Sequence, residues 1–339
     1  MEYLKGRKHE LMISVVEDYI KDASPITSAG VQKNHLQEIS TATLRNELNA
    51  LEAMGMLKQL HTSSGRVPTT LGYRYYVSNL LRDMPLDKAE LDGVKSLLEE
   101  RTKSLSDIVS GLAKIINKAV KYPTVIFVNG YDKLIVESIK IVPLVGDSAL
   151  ALIQTSSGYL TNVLDAKTNE KSCEDATNYL SRKFAGKPLG DMMKGMEIAE
   201  QEMQEEIKGF KEVIDTLIEG IKRVIEEKHL DIKRAGSIDM LESRGDGEQT
   251  KKVLKLLEDK NELEKALQLE DNELSVTLVD ESEYSGLALV KAPLCIDGTP
   301  IASIGVLGPQ RMDYGSIASA LKVIMNELKG DKDEKQTKS

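Results

Sequence analysis

Residues 40–77 read STATLRNELNALEAMGMLKQLHTSSGRVPTTLGYRYYV, and their helix-capping residues and leucine spacing predict the fold of the amino-terminal part. Ser40 is suited to begin a helix, because its hydroxyl can accept hydrogen bonds from the free amides of the first turn. Gly55 is suited to end that helix, since glycine is favoured just past a helix terminus. Downstream, residues 57–69 predict two short strands around the turn TSSG at 62–65. Between the two helix ends, three leucines keep the i, i+4, i+7 spacing of one helix face: Leu44, Leu48 and Leu51.

Two more helices precede Ser40. Apolar residues recur about every four positions between residues 7 and 21, and the sequence DASP at 22–25 ends that helix, because proline disfavours helical geometry in the residue before it. A second short helix is predicted from Ser28, as its capping residue, to about Asn34. Three helices followed by a hairpin are the element order of a winged helix-turn-helix, which we predict for residues 1–82.

The charge of the chain is unevenly distributed. The 339 residues suffice for two or three domains, and their net charge of −9 is unlike that of a nucleic-acid binder, which needs basic surface to displace counterions from phosphates. Residues 1–82, however, contain ten Lys and Arg against eight Asp and Glu, a net of +2, which leaves −11 for the rest. A mildly basic amino-terminal part followed by an acidic remainder fits DNA contact through one end of the protein.

Several other classes of protein and site are disfavoured. No apolar run approaches the roughly 20 residues of a membrane-spanning helix, and the first residues lack the apolar core of a signal peptide, so we expect a cytoplasmic protein without a membrane partner. Cys173 and Cys295 lie far apart, which indicates neither a disulfide framework nor a zinc site, and we expect both to be buried thiols. No cofactor or metal is indicated.

The polar side of the third helix is the candidate DNA-reading surface. Arginine can bridge two acceptors on guanine, asparagine can pair with adenine, and alanine leaves room for a thymine methyl group. With the three leucines facing inward, five residues point outward: Ala42, Arg45, Asn46, Asn49 and Ala53. At the start of the helix, hydroxyls and free amides suited to phosphate oxygens come from Ser40, Thr41 and Thr43. The alternative is an ordinary solvated helix face.

The tip of the hairpin is the second candidate contact. A polar loop with a cation can reach the DNA backbone or the minor groove, and its presence beside the helix favours DNA contact over a merely solvated face. We expect Arg45→Ala to relax base preference and Arg66→Ala to weaken binding evenly across sequences. The loop residues are His61, Thr62, Ser63, Ser64, Gly65 and Arg66.

Beyond residue 82 the pattern changes. A polar helical linker is predicted at 83–118, and β-rich runs then fill two blocks, 119–186 and 273–330, each closed by a helix. A long helical block at 187–272 separates them, which indicates one α+β domain interrupted by an insertion. The tail at 331–339 has too little apolar surface to fold and is expected to be disordered. The predicted class is an α+β multidomain protein.

The helical block contains a heptad-like seam flanked by Glu and Lys, which favours pairing with a second copy of the chain. The alternative is a helix packed within its own domain. Additional apolar residues at Val213, Ile218 and Ile225 favour that alternative, because they widen the stripe. The seam residues, at steps of mostly three and four, are Met203, Ile207, Phe210, Ile214, Leu217, Ile221 and Val224.

Two long segments carry a family resemblance. Residues 40–77 and the motif IGVLGPQRMDYGSI at 304–317 both resemble the HrcA family of heat-inducible transcription repressors. The predicted layout between them also fits, so the resemblance covers nearly the whole chain, although the insertion carries little recognisable sequence. The segment ITSAGVQKNH at 26–35 departs from the family and is a loose version of its second-helix segment.

The resemblance implies a winged helix, a GAF-like α+β domain and an inserted dimerising domain. It further implies a homodimer that represses chaperone operons at an inverted-repeat operator called CIRCE, with the GroEL chaperonin keeping the repressor active. On matching positions it assigns Thr41, Arg45 and Asn46 to the recognition helix, and Gly65 and Arg66 to the wing.

Two alternatives stay open. A winged-helix regulator of this layout could bind a small-molecule effector in its GAF-like part. Alternatively, Tyr73, Tyr75 and Tyr76 could stack on single-stranded bases, although their place after the wing favours packing in the core or the linker. An enzyme is disfavoured, because neither a Ser-His-Asp or Cys-His arrangement nor a GxxxxGK[ST] phosphate loop is evident.

Overall fold

The amino-terminal elements follow the predicted order in the computed structural model. The structure describes residues 4–60, 65–83, 105–156, 158–165, 168–206, 215, 219, 231–236, 247–268, 273–296 and 299–329. The first elements are α1 (Arg7–Asp22), α2 (Ser28–Asn34), α3 (Thr41–Ala53), β1 (Leu57–Gln59), β2 (Arg66–Pro68) and α4 (Thr70–Asp83). Strands β1 and β2 form an antiparallel pair.

Two helix caps were predicted in this part, and one is confirmed. The Ser40 hydroxyl accepts a hydrogen bond from the Thr43 amide at 3.2 Å, as expected for the residue that begins α3. The predicted cap of α2 was wrong by one residue. Thr27 is the cap and accepts from the Gly30 amide at 3.1 Å, while Ser28 is the first helical residue.

The core of this amino-terminal unit, which we call the head, is formed by α1–α4. The fully buried residues of the first three helices include Leu11, Met12, Val15, Val16, Val31, Leu44, Leu48 and Leu51. The tyrosines of α4 are also buried, with Tyr73, Tyr75 and Tyr76 no more than 7% exposed. Stacking on single-stranded bases needs exposed rings, so this burial contradicts that alternative and supports core packing.

The rest of the described chain, which we call the body, is built on two antiparallel sheets. Its first elements are α5 (Leu105–Val120), β3 (Thr124–Val128), a 3-10 turn (Tyr131–Lys133), β4 (Val136–Pro143), β5 (Ser148–Thr155), β6 (Gly158–Asp165), α6 (Glu170–Phe184) and α7 (Leu189–Glu206). These are followed by β7 (Asp231–Ala235), α8 (Gly247–Glu258), α9 (Lys260–Leu267), β8 (Ser275–Leu278), β9 (Leu287–Ile296), β10 (Thr299–Pro309) and α10 (Tyr314–Lys329).

The larger sheet has five strands in the order β7-β3-β10-β9-β8 and carries helices on both faces. Successive side chains of a strand point to opposite faces. In β3, Ile126 and Val128 belong to the main core with α5 and α10, whereas Val125 and Phe127 pack in a second cluster with Val253 and other residues of α8 and α9. All five residues of β3 are buried, as expected for a strand covered on both sides.

The smaller sheet has the order β4-β5-β6 and packs against α6. Two hydroxyls of α6 bond to the backbone of β4. Thr177 accepts from the Ile141 amide at 2.9 Å, and Ser181 donates to the Ile139 carbonyl at 3.0 Å. These bonds satisfy backbone groups along a sheet edge that would otherwise be open to another strand.

The sheet topology differs from the predicted boundaries of the insertion. The chain leaves the five-stranded sheet at Val128, the end of β3, and returns at Asp231, the start of β7, which pairs directly with β3. Strands β4–β6, predicted as part of the interrupted domain at 119–186, form the separate sheet. Strand β7 with α8 and α9, predicted inside the insertion at 187–272, packs in the larger one.

The remaining predictions concern the linker, the tail, the two cysteines and membrane-spanning helices. Most of the predicted linker (84–104) and the tail at 331–339 lie outside them. Cys173 is buried as expected, but Cys295 is only half-buried, which corrects that prediction. Among the described helices, none has both the length and the hydropathy needed to cross a bilayer.

Candidate nucleic-acid interface

The outward side of α3 is uncovered, as the leucine spacing predicts. Leu44, Leu48 and Leu51 are fully buried and hold the opposite side of the helix in the head core. Neither the Arg45 nor the Asn46 side chain bonds to any described part of the chain, so both are available to pair with base edges. All five predicted outward residues are exposed: Ala42, Arg45, Asn46, Asn49 and Ala53.

The beginning of α3 offers backbone amides to an anion. Ser40 is exposed, and its hydroxyl caps the Thr43 amide and lies 2.9 Å from the Thr43 hydroxyl. The first amides of a helix have no partner within it and form the positive end of the helix dipole. Thr41 and Ala42 are the first two residues of α3, so this end can receive a phosphate oxygen in the way that the sequence predicts.

Side-chain bonds that the sequence did not predict hold α3 in place. Gln32 on α2 donates to the Ile39 carbonyl at 2.8 Å, which fixes the turn leading into α3. The Nε2 atom of His35 lies 2.8 Å from a carboxylate oxygen of Asp18, which ties the end of α2 to α1. These partners are distant in sequence or lie in a turn, so no helical or strand periodicity indicates them.

Both carboxylates of α3 are paired with arginine. The Nε atom of Arg7 donates to Glu47 at 2.7 Å, and this hydrogen bond together with the negative charge raises the pKa of the Arg7 guanidinium. Glu52 accepts from the Nε atom of Arg66 at 2.9 Å. Each pair cancels a negative charge that would repel phosphates. The basic residue of α3 itself, Arg45, stays on the outward side.

Arg66 lies against α3 and contacts another predicted DNA-binding residue. Besides its bond to Glu52, its Nη2 atom donates to the Asn49 side-chain oxygen. The Arg66 side chain is 12% exposed. The sequence predicted Arg66 as a cation at the hairpin tip, whereas here its guanidinium joins β2 to α3. Glu52 is the functional candidate that sequence reasoning missed.

Gly65 is packed against the backbone of the chain before α2. The amides and carbonyls of Ile26 and Arg66 exchange two hydrogen bonds of 2.8 Å, so the chain at Ile26 lies beside β2. A Cβ atom at position 65 would lie 2.5 Å from the Ile26 carbonyl oxygen and 2.8 Å from the Pro25 carbonyl carbon. Glycine is therefore required here by close backbone approach.

The other predicted site residues are only partly described. His61, Thr62, Ser63 and Ser64, predicted as the hairpin tip, lie outside the described residues. Of the predicted dimerisation seam, Met203 is described, and it is fully buried within the chain. That burial agrees with the internal-packing alternative for the beginning of the seam. The remaining members fall outside the described ranges: Ile207, Phe210, Ile214, Leu217, Ile221 and Val224.

A cavity in the body can be compared with this surface. It measures about 430 Å³ and lies between the edge strand β7 and α8. Arg234 and Glu258 are the charged residues of its lining, which otherwise consists of Ala235, Gly236, Leu254 and Leu257. In the part of the chain that the structure describes, no group of three or more His, Cys, Asp or Glu side chains is placed to hold a metal ion.

Comparisons with known proteins agree with the sequence motifs. A family model described as the HrcA protein C terminal domain matches residues 106–318. The heat-inducible transcription repressor HrcA of Brevibacillus brevis is 29% identical over 333 residues, covering 96% of this chain and 97% of the relative. The protein of the same name from Thermoanaerobacter pseudethanolicus is 29% identical over 334 residues, with 96% of each chain covered.

A solved structure shares the fold. It is described as a hypothetical protein at 2.2 Å resolution and aligns with a TM-score of 0.68 and 20% sequence identity. The alignment covers 96% of this chain and 98% of that chain, so the mixed α and β architecture extends over nearly the whole length.

Proposed function

Because this chain belongs to the HrcA family, whose members are heat-inducible transcription repressors and not enzymes, we propose that it represses class I heat-shock operons, which encode chaperones. In this proposal α1–α4 form a winged helix-turn-helix that binds double-stranded DNA. The observation that carries it is the uncovered polar side of α3, held outward by three buried leucines.

The candidate DNA-binding residues of the head have distinct proposed roles. Arg45 and Asn46 read base edges in the major groove, while Ala42 lets the helix approach closely. Ser40, Thr41 and Thr43 place the start of α3 against a phosphate. Arg66, held by Glu52 and Asn49, braces the hairpin against α3, and Gly65 allows the same hairpin to pack on Ile26. The role assigned to the predicted tip residues His61, Thr62 and Ser63 is contact with the neighbouring DNA backbone.

We propose that the operator is the inverted repeat called CIRCE and that a homodimer binds it. Two heads related by two-fold symmetry require half-sites about one helical turn, roughly 10 base pairs, apart or a multiple of it. This part follows the family resemblance, as does the proposal that the GroEL chaperonin keeps the repressor active. The symmetry of the operator would then mirror the symmetry of the protein.

An apolar surface on the three-stranded sheet supports the homodimer. Val142, Leu150 and Val163 are register partners across β4, β5 and β6, so they form one row on the face turned away from α6. Val142 is 46% exposed and Val163 is 55% exposed, and Val145 in the adjoining turn is fully exposed. Contiguous exposed apolar patches on soluble proteins mark interaction sites. We therefore propose this face as a pairing surface, alongside the part of the predicted seam that follows the buried Met203.

The domain boundaries of the proposal follow sheet membership. The five-stranded sheet with α5, α8, α9 and α10 is the GAF-like domain. The insertion occupies the chain between β3 and β7, from about residue 129 to 230, and contains the apolar face just described. The head comprises residues up to about 82, as the sequence predicts.

The proposal is tested by a gel shift at fixed salt with an inverted-repeat duplex and a scrambled duplex of equal length and composition. We expect a discrete complex with the inverted repeat that the scrambled duplex does not compete away, and tighter binding when the chaperonin is present. Equal affinity for the two duplexes would contradict operator recognition. An unchanged complex on adding chaperonin would contradict that part alone.

The small-effector alternative has one structural feature in its favour, the cavity between β7 and α8. Ligand sites usually place a few convergent polar groups in an apolar pocket. Arg234 and Glu258 supply one charge of each sign there. Calorimetry against a metabolite panel, with Arg234→Ala as the comparison, separates the alternatives, because a genuine effector must also shift the affinity for DNA.

A further inference from the structure

The carboxy-terminal motif at 304–317 lies where the body meets the head, and it is not among the residues proposed to contact DNA. The motif leads from the end of β10 into α10. Three of its residues, Gln310, Arg311 and Tyr314, contact α1 or α4 of the head, more than 230 residues away in sequence. A motif that bonds to both units in this way is placed to influence how they are oriented.

Arg311 bonds to the end of α1. Its Nη1 atom donates to the Ile20 carbonyl oxygen at 3.3 Å. Ile20 lies in the last turn of α1, where backbone carbonyls have no amide partner within the helix and form the negative end of its dipole. A guanidinium from the body therefore satisfies an open backbone group of the head with a charge of favourable sign.

Gln310 bridges the head and the body through its amide. Its side-chain oxygen accepts from the Thr70 hydroxyl, at the first residue of α4, at 3.1 Å, and its side-chain nitrogen donates to the Val279 carbonyl in the body at 3.2 Å. Its backbone amide also donates to the Gly286 carbonyl at 2.8 Å. Gln310 is 9% exposed, so both ends of the amide are used inside the joint.

Tyr314 packs between the body and α4, in the same joint as Gln310 and Arg311. It is 1% exposed, its hydroxyl donates to the Gln310 carbonyl at 2.6 Å, and its ring centroid lies 6.4 Å from those of both Tyr73 and Tyr76 on α4. An exposed ion pair between Arg74 and Asp280 adds a contact at the rim. The joint is thus a buried aromatic centre with directional polar bonds beside it, which is an arrangement suited to hold one angle between the two units.

We propose that Gln310 and Arg311 are positioning residues that set the orientation of the head on the body, and thereby the spacing at which two heads of a dimer engage an inverted repeat. The inference rests on the proposed function, because it needs paired heads on one duplex. When both heads of a dimer are held at a fixed angle, binding of the first head places the second head at its half-site at a high effective concentration. Loosened heads lose this advantage and tolerate other spacings between the half-sites.

The test compares wild type, Arg311→Ala, Gln310→Glu and a control, Lys171→Ala, which removes one exposed charge from the body outside the joint. Gln310→Glu keeps the shape of the side chain but turns an acceptor toward the Val279 carbonyl. Fluorescence anisotropy gives the dissociation constants for three duplexes: the inverted repeat, the same repeat with its spacer lengthened by about half a turn, roughly 5 base pairs, and a single half-site. Amide hydrogen exchange at residues 20–26 and 70–83 reports the joint without DNA.

We expect both joint variants to bind the inverted repeat about tenfold more weakly, to bind the single half-site as wild type does, and to lose most of the preference between the two spacings. Faster exchange at residues 20–26 should accompany these changes, and Lys171→Ala should show none of them. A joint variant that keeps the wild-type spacing preference, or binds the repeat more tightly, would overturn the inference. A wild-type protein without spacing preference would instead contradict the proposed function. Gln310→Glu retains the packing volume of the side chain. If Arg311→Ala does not fold, the spacing preference of Gln310→Glu therefore tests the inference alone.

Discussion

Replacing Gly65 by alanine tests whether the hairpin depends on the close backbone contact with Ile26. The new Cβ atom would lie 2.5 Å from the Ile26 carbonyl oxygen and 2.7 Å from its carbon, and both are backbone atoms that cannot rotate away. Relief requires the two segments to separate, which breaks the two hydrogen bonds of 2.8 Å between Ile26 and Arg66. Each such bond contributes about 1 kcal/mol net, so we expect Gly65→Ala to lower the free energy of unfolding by about 2–3 kcal/mol.

Urea unfolding measures this loss, and amide hydrogen exchange at Ile26 and Arg66 localises it. The matched control is Gly247→Ala at the first position of α8, where an added Cβ meets nothing within 4 Å among the described residues. We expect the control to leave stability unchanged. If Gly65→Ala unfolds at the wild-type urea concentration and keeps slow exchange at both amides, the close approach does not constrain the hairpin.

Three further substitutions follow from burial and charge. Leu48→Ala removes a fully buried side chain of α3 and should lower the free energy of unfolding by about 2–5 kcal/mol in a urea titration, whereas Met54→Ala, at a position 44% exposed, should change it little; equal losses would contradict the assignment of the inner face. Arg74→Ala breaks an ion pair whose side chains are 50% and 40% exposed, so it should lower the free energy of unfolding by less than about 1 kcal/mol. A larger loss in a urea titration would show that the pair stabilises the joint. Val163→Glu should convert a dimer to a monomer in sedimentation experiments, because it places a charge in the apolar row of the three-stranded sheet; if Ile198→Glu, on α7 and 57% exposed, dissociates the dimer instead, pairing involves α7.

The head could be predicted closely because its information is local. The leucine spacing in α3 fixes which side is buried, and Ser40 and Gly55 mark its ends, so the exposure of Arg45 and Asn46 follows from the sequence. The pairing of Arg66 with Glu52 and Asn49 could not be predicted, since it depends on how β2 folds back on α3. No spacing in the sequence encodes how closely Arg66 approaches α3.

The body shows the limit of the same reasoning. Individual strands such as β9 and β10 are predicted by their apolar runs, but β7, with the sequence DIKRA, is short and charged and has no such run. It is an edge strand, and its membership of the sheet is set by pairing with β3 more than 100 residues earlier. Consequently the boundaries of the proposed insertion depend on a long-range contact that periodicity does not reveal.

Recognition of the operator by α3 is tested by the affinity of Arg45→Ala for the inverted repeat and for a scrambled duplex, measured side by side at one salt concentration. Arg45 is exposed on α3 and is proposed to read a base edge. We therefore predict a loss of about 1–3 kcal/mol on the inverted repeat, a relaxed preference at one base position, and a much smaller loss on the scrambled duplex. Equal losses on the two duplexes would contradict sequence recognition by this side of α3.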